Sequence, residues 1–336
     1  MFEKITLTID KGFEVTMEKE KISLGEIAKL YYEQGLTQAE ISNKLGISRP
    51  IISNKLAEAR EKGIVKIFVD IDEDYVSELE RRIFSSFNLK GVRVVAVPDN
   101  DEELAVNITA RTGAQYLSRF IEENDRIGIS LGWTMNKMAD YFPQLECHAD
   151  IVVQCLGSIT NVHSNSTMDG LIKNFSQKVN AREAYILPCP PIVQTPLIAN
   201  ALLYDTQIQK IVKCIKDCNK VFVNITSPDK NNCFYSYEYI NDADLEQLKK
   251  DGAVGSICGR FYDKNGNICS PETDARTLGI SLDDIKKAEY VLGCIVGVHK
   301  AYAVYYALKA GLIDVLVIDS LTAAELVRII NEEQND

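Results

Sequence analysis

At 336 residues, 46% of them hydrophobic, the chain is long enough for one small module and one large domain with a sizeable core. Its net charge of −11 argues against a protein that coats nucleic acid over its whole surface. No apolar run approaches membrane-spanning length and the amino terminus lacks the apolar core of a signal peptide, so we expect a cytoplasmic protein without a membrane partner.

The nine cysteines do not form a metal-binding pattern. They are odd in number and include no Cys-x-x-Cys pair, which is typical of buried thiols in a reducing compartment. Cys214 and Cys218 lie one helical turn apart and could begin a metal site, but no histidine lies near them in the sequence. We expect no metal and no cofactor.

The first 70 residues divide into an extension and a helix-turn-helix. Residues 1–22 are polar, with weak strand character, and a helix is predicted over Leu24 to Gln34. Thr37 and Glu40 have the spacing of a capping box, which predicts that a second helix starts there. Gly46 permits the tight turn that follows.

The third helix is predicted to begin after Ser48, with Pro50 in its first turn. Ile52, Leu56 and Ala59 are spaced to face inward. The outward residues near the start of this helix are those that read bases and phosphates in such motifs. The predicted DNA-binding residues are Thr37, Gln38, Ser48, Arg49, Pro50, Ser53, Asn54 and Lys55.

Local charge favours DNA over the alternative, a helical bundle that never contacts nucleic acid. Residues 37–66 hold six Lys or Arg against three Asp or Glu, a balance of +3 in an acidic chain. A basic region confined to one module is expected of a protein that binds double-stranded operator DNA through that module.

Two further elements are predicted before the large domain. Alternation over Gly63 to Val69 indicates a short strand resembling a wing. Asp70 to Asn88 reads as a charged helical connector whose stripe of Tyr75, Leu79 and Ile83 continues to Phe87. This stripe packs either on its own domain or on a second subunit.

From Gly91 onward, predicted strands alternate with amphipathic helices. The strands are Val92–Val97, Arg126–Ser130, Asp150–Cys155, Ala184–Pro188, Lys220–Thr226, Glu289–Val296 and Val315–Asp319. The helices are Glu103–Glu122, Thr134–Phe142, Leu171–Asn180, Thr206–Asp217, Asp242–Lys250, Lys300–Ala310 and Thr322–Asn331. This order predicts an α/β fold with a doubly wound, Rossmann-like parallel sheet. The expected domains are an extension (1–22), a helix-turn-helix (23–70), a connector (71–90) and an effector and oligomerisation domain (91–336).

Three strand ends carry residues suited to an anion. The first holds Ser130, Gly132 and Thr134, where hydroxyls and free amides precede a helix. The second is the turn at Gly157 and Ser158, continuing to Ile159 and Thr160, and the third places Lys300 at a helix start. Because the carboxyl ends of parallel strands share one edge of a sheet, we expect these turns to converge on one small anionic metabolite.

Two other features are open to two interpretations. Trp133, the only tryptophan, could be a core residue or a platform that stacks on a sugar face. Residues 252–267 read as a hairpin with a turn at Lys264 to Gly266. Its Arg260 and Asp263 could bind a ligand or could form a surface salt bridge.

Four motifs together resemble the SorC/DeoR type of bacterial sugar-responsive transcription regulators, over a span from Gly25 to Arg328. They are SRPIISNKLAEAREKGIVKI, GISLGWTMNKMA, GAVGSICGRFYDKNGNI and GVHKAYAVYYALKAGLIDVLVIDSLTA. The resemblance implies an effector domain similar to sugar-phosphate isomerases, in a homotetramer that is often a repressor. It places Gly132, Thr134 and Lys300 at the effector phosphate, and it places Ser130, Gly157 and Arg260 around the sugar.

The chain departs from the family pattern at several turns, which implies a reshaped pocket. Leu156-Gly157-Ser158 replaces a Gly-Gly pair, Thr226-Ser227-Pro228 replaces a glycine-rich turn, and Val298-His299 replaces smaller residues. Trp133 also fills a position that is usually smaller. Asn54-Lys55 stands where Arg-Leu is more usual in the DNA-reading helix.

Two other functions were weighed against a ligand-controlled regulator. A sugar-phosphate isomerase needs a carboxylate base in the pocket, or a lysine for a Schiff base, and the predicted strand ends offer no carboxylate pair. A DNA-binding oligomer without a ligand is the second alternative. We expect a non-enzymatic homo-oligomer, dimer or tetramer, whose operator affinity is set by a phosphorylated sugar or a related metabolite.

Overall fold

The computed structural model describes residues 4–9, 13–18, 23–61, 73–98, 101–158 and 168–334. The chain divides into two compact units, Met1–Val69 and Asp70–Asp336. Within the described ranges, no helix combines the length and apolar character needed to cross a membrane.

The first unit contains a β-hairpin and a set of short helices. Its elements are β1 (Lys4–Ile9), β2 (Phe13–Glu18), α1 (Leu24–Ala28), α2 (Gln38–Leu45) and α3 (Arg49–Glu61). β1 and β2 pair in antiparallel fashion, so the extension forms strands as its weak pattern suggested. After α1 the chain continues with wider helical winding over Lys29–Glu33. The predicted wing at 63–69 lies outside the described residues.

Local interactions shape the turn between α2 and α3. The Thr37 amide donates to Glu40 Oε2 at 2.8 Å, and the Glu40 amide donates to Thr37 Oγ1 at 3.3 Å, completing the predicted capping box. Gly46 ends α2 in the left-handed region, with φ 64° and ψ 28°. Apolar residues from the three helical segments form the core of the unit. The fully buried or nearly buried members are Ile27, Leu30, Ile41, Ile52 and Leu56.

Replacing Thr37 with alanine is expected to destabilise this unit by about 1 kcal/mol, because the Glu40 amide loses its acceptor. Hydrogen exchange of the α2 and α3 amides in the full chain should then accelerate severalfold. Ser53→Ala, on the exposed face of α3, is the matched control and should leave exchange unchanged. Equal exchange rates in the Thr37 variant and the native protein would contradict this role for the box.

The second unit is an α/β domain. Its helices are α4 (Glu73–Ser86), α5 (Glu102–Leu117), α6 (Trp133–Tyr141), α7 (Met168–Lys178), α8 (Pro196–Leu203), α9 (Thr206–Lys216), α10 (Cys233–Ser236), α11 (Asp242–Lys250), α12 (Pro271–Arg276), α13 (Leu282–Lys287), α14 (Ala301–Lys309) and α15 (Ser320–Glu333). Its strands are β3 (Gly91–Val95), β4 (Arg126–Ile129), β5 (Ile151–Gln154), β6 (Glu183–Tyr185), β7 (Lys220–Val223), β8 (Ile225–Thr226), β9 (Gly255–Ile257), β10 (Arg260–Tyr262), β11 (Tyr290–Ile295) and β12 (Val315–Asp319).

Seven of the described strands form one sheet in the order β3-β12-β11-β7-β4-β5-β6. Every neighbouring pair is parallel, which confirms the predicted fold class. β7 is buried along its whole length, as expected where helices cover both faces of a parallel sheet. β8, β9 and β10 form a small antiparallel sheet beside it.

The strand order creates a switch point between β4 and β7. After β4 the chain continues to β5 and β6 on one side, whereas after β7 it continues to β11 and β12 on the other. The connections therefore diverge at the carboxyl ends of these two strands and leave a crevice.

The connector helix α4 belongs to the second unit and packs against α15. Leu79 and Ile83 are buried in the same apolar cluster as α15 residues, and the Phe87 ring lies 5.6 Å from that of Tyr305. Tyr75 stays exposed. Leu79 and Ile83 of the stripe therefore pack on their own domain, which is one of the two predicted alternatives.

The predicted turn at Lys264 to Gly266 is present: the Gly266 amide donates to the Asp263 carbonyl at 3.0 Å, and Tyr262 and Ile268 form an antiparallel bridge across the turn. The prediction missed a second turn just before it. β9 and β10 are joined at Cys258 and Gly259, whose φ values are 49° and 74°, as a two-residue hairpin turn requires. Asp263 shapes the predicted turn, because its Oδ1 accepts from the amides of Asn265 and Asn267, each at 2.8 Å.

Candidate functional site

A cavity of about 460 Å³ lies at the switch point between β4 and β7. Residues from the ends of four parallel strands line it, together with the β9–β10 turn. The lining residues include Ser130, Gly132, Trp133, Asn224, Thr226 and Lys300. The cavity therefore occupies the edge of the sheet where the ligand was expected.

The segment after β4 presents a helix start that no side chain caps. Ser130 is buried, and its Oγ accepts a hydrogen bond from the Asn224 amide at 3.1 Å. Gly132, with φ 146°, is the residue before α6 and has no side chain to accept from the first amides of the helix. Thr134, a predicted site residue, is buried in that first turn and does not line the cavity. Free amides at a helix start favour an anion.

Lys300 supplies a cation that forms no salt bridge in the described part of the chain, although Glu102 also lines the cavity. It ends the turn after β11 and precedes α14, and its side chain lines the cavity. Burial lowers the pKa of its ammonium, although Glu102 and Asp319 oppose that shift. Asp319 is already engaged, because its carboxylate caps α15 and accepts from the Gly297 amide at 3.2 Å. An anionic ligand would supply the missing partner.

Trp133 lies at the cavity rather than in the core. Its side chain is 43% exposed, so one face is available to a ligand. His299 lies beside Lys300, and burial together with that positive charge lowers the pKa of its imidazole. The cavity thus combines aromatic surface with the positive charge of Lys300, and Glu102 and Asp229 also line it.

Polar residues after β7 complete the wall, and none of them is among the predicted effector-binding residues. Thr226 Oγ1 lies 2.7 Å from Ser256 Oγ, and Asn232 Nδ2 donates to Thr226 Oγ1 at 3.1 Å. Asn224 Oδ1 is buried without a hydrogen-bond partner. The signal available was the polar run after a buried strand, but its importance depends on β7 lying beside β4.

The turn at Gly157 contributes less than predicted. The Gly157 amide donates to the Leu278 carbonyl at 3.0 Å, and a Cβ there would lie 2.4 Å from the Pro190 carbonyl oxygen. Close backbone packing thus requires glycine here. Ser158 Oγ lies 3.1 Å from Gln154 Nε2. Neither residue lines the cavity, although Leu156 does, and residues 159–167 lie outside the described ranges.

The structure also places Arg260 and Asp263 away from this cavity. The buried Arg260 guanidinium is ion-paired with Asp274 at 2.9 Å and donates to the carbonyls of Ile280 and Thr277 at 3.0 and 3.1 Å. The alternative prediction was a salt bridge between Arg260 and Asp263, but the observed partner of Arg260 is Asp274. Arg260 therefore holds residues 274–280 in place, and we omit both residues from the proposed site.

The predicted DNA-reading face is exposed. Ser48, Arg49, Pro50, Ser53 and Asn54 are exposed, whereas the inward residues of the same helix are buried. Gln38 and Lys55 are half-buried, and Thr37 is exposed at the start of α2. The inward residues are Ile52, Leu56 and Ala59.

A parallel α/β domain with a polar cavity at its switch point, following a helix-turn-helix, defines a ligand-responsive DNA-binding regulator. The family model described as "Putative sugar-binding domain" matches residues 74–328. The chain belongs to the SorC/DeoR family of transcriptional regulators.

Three relatives illustrate this membership. The deoxyribonucleoside regulator of Bacillus subtilis (strain 168) is 30% identical over 310 residues, which cover 92% of this chain and 98% of the relative. The full-length sorbitol operon regulator SorC from Klebsiella pneumoniae superposes with a TM-score of 0.70 at 29% identity, over 90% of this chain and 97% of that one. A DeoR family transcriptional regulator from Listeria monocytogenes superposes with a TM-score of 0.67 at 27% identity, over 75% of this chain and 99% of that one. These relatives are regulators and not enzymes, as the sequence predicted.

Proposed function

We propose that the cavity binds a small phosphorylated sugar or polyol, and that occupancy changes the affinity of the protein for its operator. The observation that carries this proposal is Lys300, a partly buried cation that lines the cavity and forms no salt bridge among the described residues. A protein that keeps such a charge loses free energy unless a ligand neutralises it.

A phosphate suits this position better than a neutral sugar alone. The ammonium of Lys300 and the uncapped amides that follow Gly132 line the same cavity, and both favour a group with negative charge. A volume of about 460 Å³ accommodates a phosphorylated sugar. Trp133 offers an exposed ring on which an apolar sugar face can stack.

The response requires two arrangements of an oligomer. Two or more helix-turn-helix units would contact operator half-sites about one helical turn apart, or a multiple of that distance. The effector then favours one arrangement by binding it more tightly, and the resulting change in operator affinity is at most this difference in binding free energy. We propose a dimer or tetramer that represses an operon of carbohydrate metabolism, with no cofactor besides the effector.

A thermal-shift panel tests the proposal. The full chain is heated with phosphorylated sugars and polyols, with their unphosphorylated counterparts, and with inorganic phosphate. At a concentration about 100 times the Kd, a bound effector stabilises the native state by about 2.7 kcal/mol, so the melting temperature should rise with a phosphorylated compound. The same compound should change the affinity for an operator duplex selected from random DNA. A panel in which only neutral sugars stabilise the protein would refute the phosphate assignment.

A further inference from the structure

One polar side chain of the cavity has no intramolecular role. Asn224 follows β7 and lines the cavity, and its Oδ1 is buried without a hydrogen-bond partner. The Asn224 backbone, by contrast, is engaged, because its amide donates to Ser130 Oγ. An unpartnered buried acceptor lowers stability, so its presence requires an explanation.

The neighbouring polar groups are already paired with one another. Thr226 and Ser256 share a hydrogen bond, and Asn232 donates to Thr226 Oγ1 and to the Ser227 carbonyl. The Ser227 hydroxyl donates to the His299 carbonyl at 3.0 Å. These bonds hold the wall of the cavity in place. They do not satisfy the Asn224 carboxamide oxygen, which stays free for a ligand.

The side-chain amide of Asn224 lies next to the proposed phosphate position. A Cβ added to Gly132 would lie 3.0 Å from Asn224 Nδ2, so the amide packs against the residue that precedes α6. A carboxamide offers an acceptor and two donors side by side. A sugar hydroxyl, which both donates and accepts, matches that arrangement.

We infer that Asn224 binds a hydroxyl group of the effector and thereby selects a fully hydroxylated sugar or polyol phosphate over its deoxy analogue. This inference rests on the proposed function of the cavity. Its physical basis is that a deoxy compound would fill the cavity but leave the amide unpaired, and polar sites reject such analogues strongly.

Paired probes test the inference by calorimetric titration of the full chain. The pairs are D-ribose 5-phosphate with 2-deoxy-D-ribose 5-phosphate, D-glucose 6-phosphate with 2-deoxy-D-glucose 6-phosphate, and glycerol 3-phosphate with propane-1,3-diol phosphate. For a pair that binds, the hydroxylated member should bind roughly tenfold more tightly or better. In Asn224→Leu that preference should disappear through weaker binding of the hydroxylated member alone, while Asn88→Leu, at an exposed turn, should keep it.

The melting temperature without ligand separates ligand binding from a structural role. Because no side-chain bond is lost, Asn224→Leu should melt at the native temperature or above it, and Asn224→Ala serves if the leucine is not accommodated. The inference would be overturned if both Asn224 variants still preferred the hydroxylated member of a probe pair. It would also be overturned if the variants melted at a lower temperature but bound the ligand with unchanged affinity. If no phosphorylated probe binds at all, the proposed function fails first.

Discussion

Replacing Lys300 with methionine is expected to abolish the response to the effector while leaving operator binding intact. Methionine keeps an unbranched side chain of similar length but removes the charge. Because the ammonium forms no salt bridge among the described residues, its loss removes a charge-assisted contact expected only with the ligand. The Kd for a phosphorylated effector should rise on the order of 100-fold.

Calorimetric titration and an operator-release assay measure the two halves of this expectation. Lys210→Met removes an exposed lysine on α9 and should behave as the native protein. Without ligand, Lys300→Met should melt no lower than the native protein, because a partly buried unpaired charge has been removed. A normal dose curve for operator release in Lys300→Met would exclude Lys300 from the site.

Replacing Arg49 with alanine is expected to weaken specific operator binding by about 1–3 kcal/mol, the usual contribution of a guanidinium that pairs with guanine. Arg49 is the first residue of α3 and is exposed, with the buried Ile52 and Leu56 holding that helix on the core of its unit. Its loss should therefore remove a base contact without unfolding the helix.

Fluorescence anisotropy with an operator duplex and with a scrambled duplex checks this expectation. The affinity for the operator should fall much more than the affinity for the scrambled sequence, because base contacts specify and phosphate contacts position. Arg111→Ala, at an exposed position of α5, is the control with the same change of charge. An unchanged operator affinity in Arg49→Ala would mean that another residue reads the bases.

Elements with strong local signals were predicted closely. The predicted bounds of α11 and β12 match the structure, and the capping box at Thr37 and the turn at Gly46 are present. Each of these depends on residues within one or two turns of one another, or on a run of apolar residues along one strand. Such interactions are encoded in short stretches of sequence.

Side chains with distant partners were predicted poorly. Arg260 was considered for the ligand, but its guanidinium is used by residues 274–280. Gly157 was predicted to lie beside the ligand, but it is the backbone near Pro190 that packs closely against this glycine. In each case the partner lies far along the chain.

The sequence by itself determined the two-part architecture, the parallel α/β class, the exposed face of α3 and the involvement of the segments at Gly132 and Lys300. Apolar periodicity and helix caps operate over a few residues, so they are visible without a structure. Only the tertiary structure decided that β7 lies beside β4, and hence that Asn224 and Thr226 face the same cavity as Lys300. Strand order results from the packing of the whole sheet, and no short stretch of the chain encodes it.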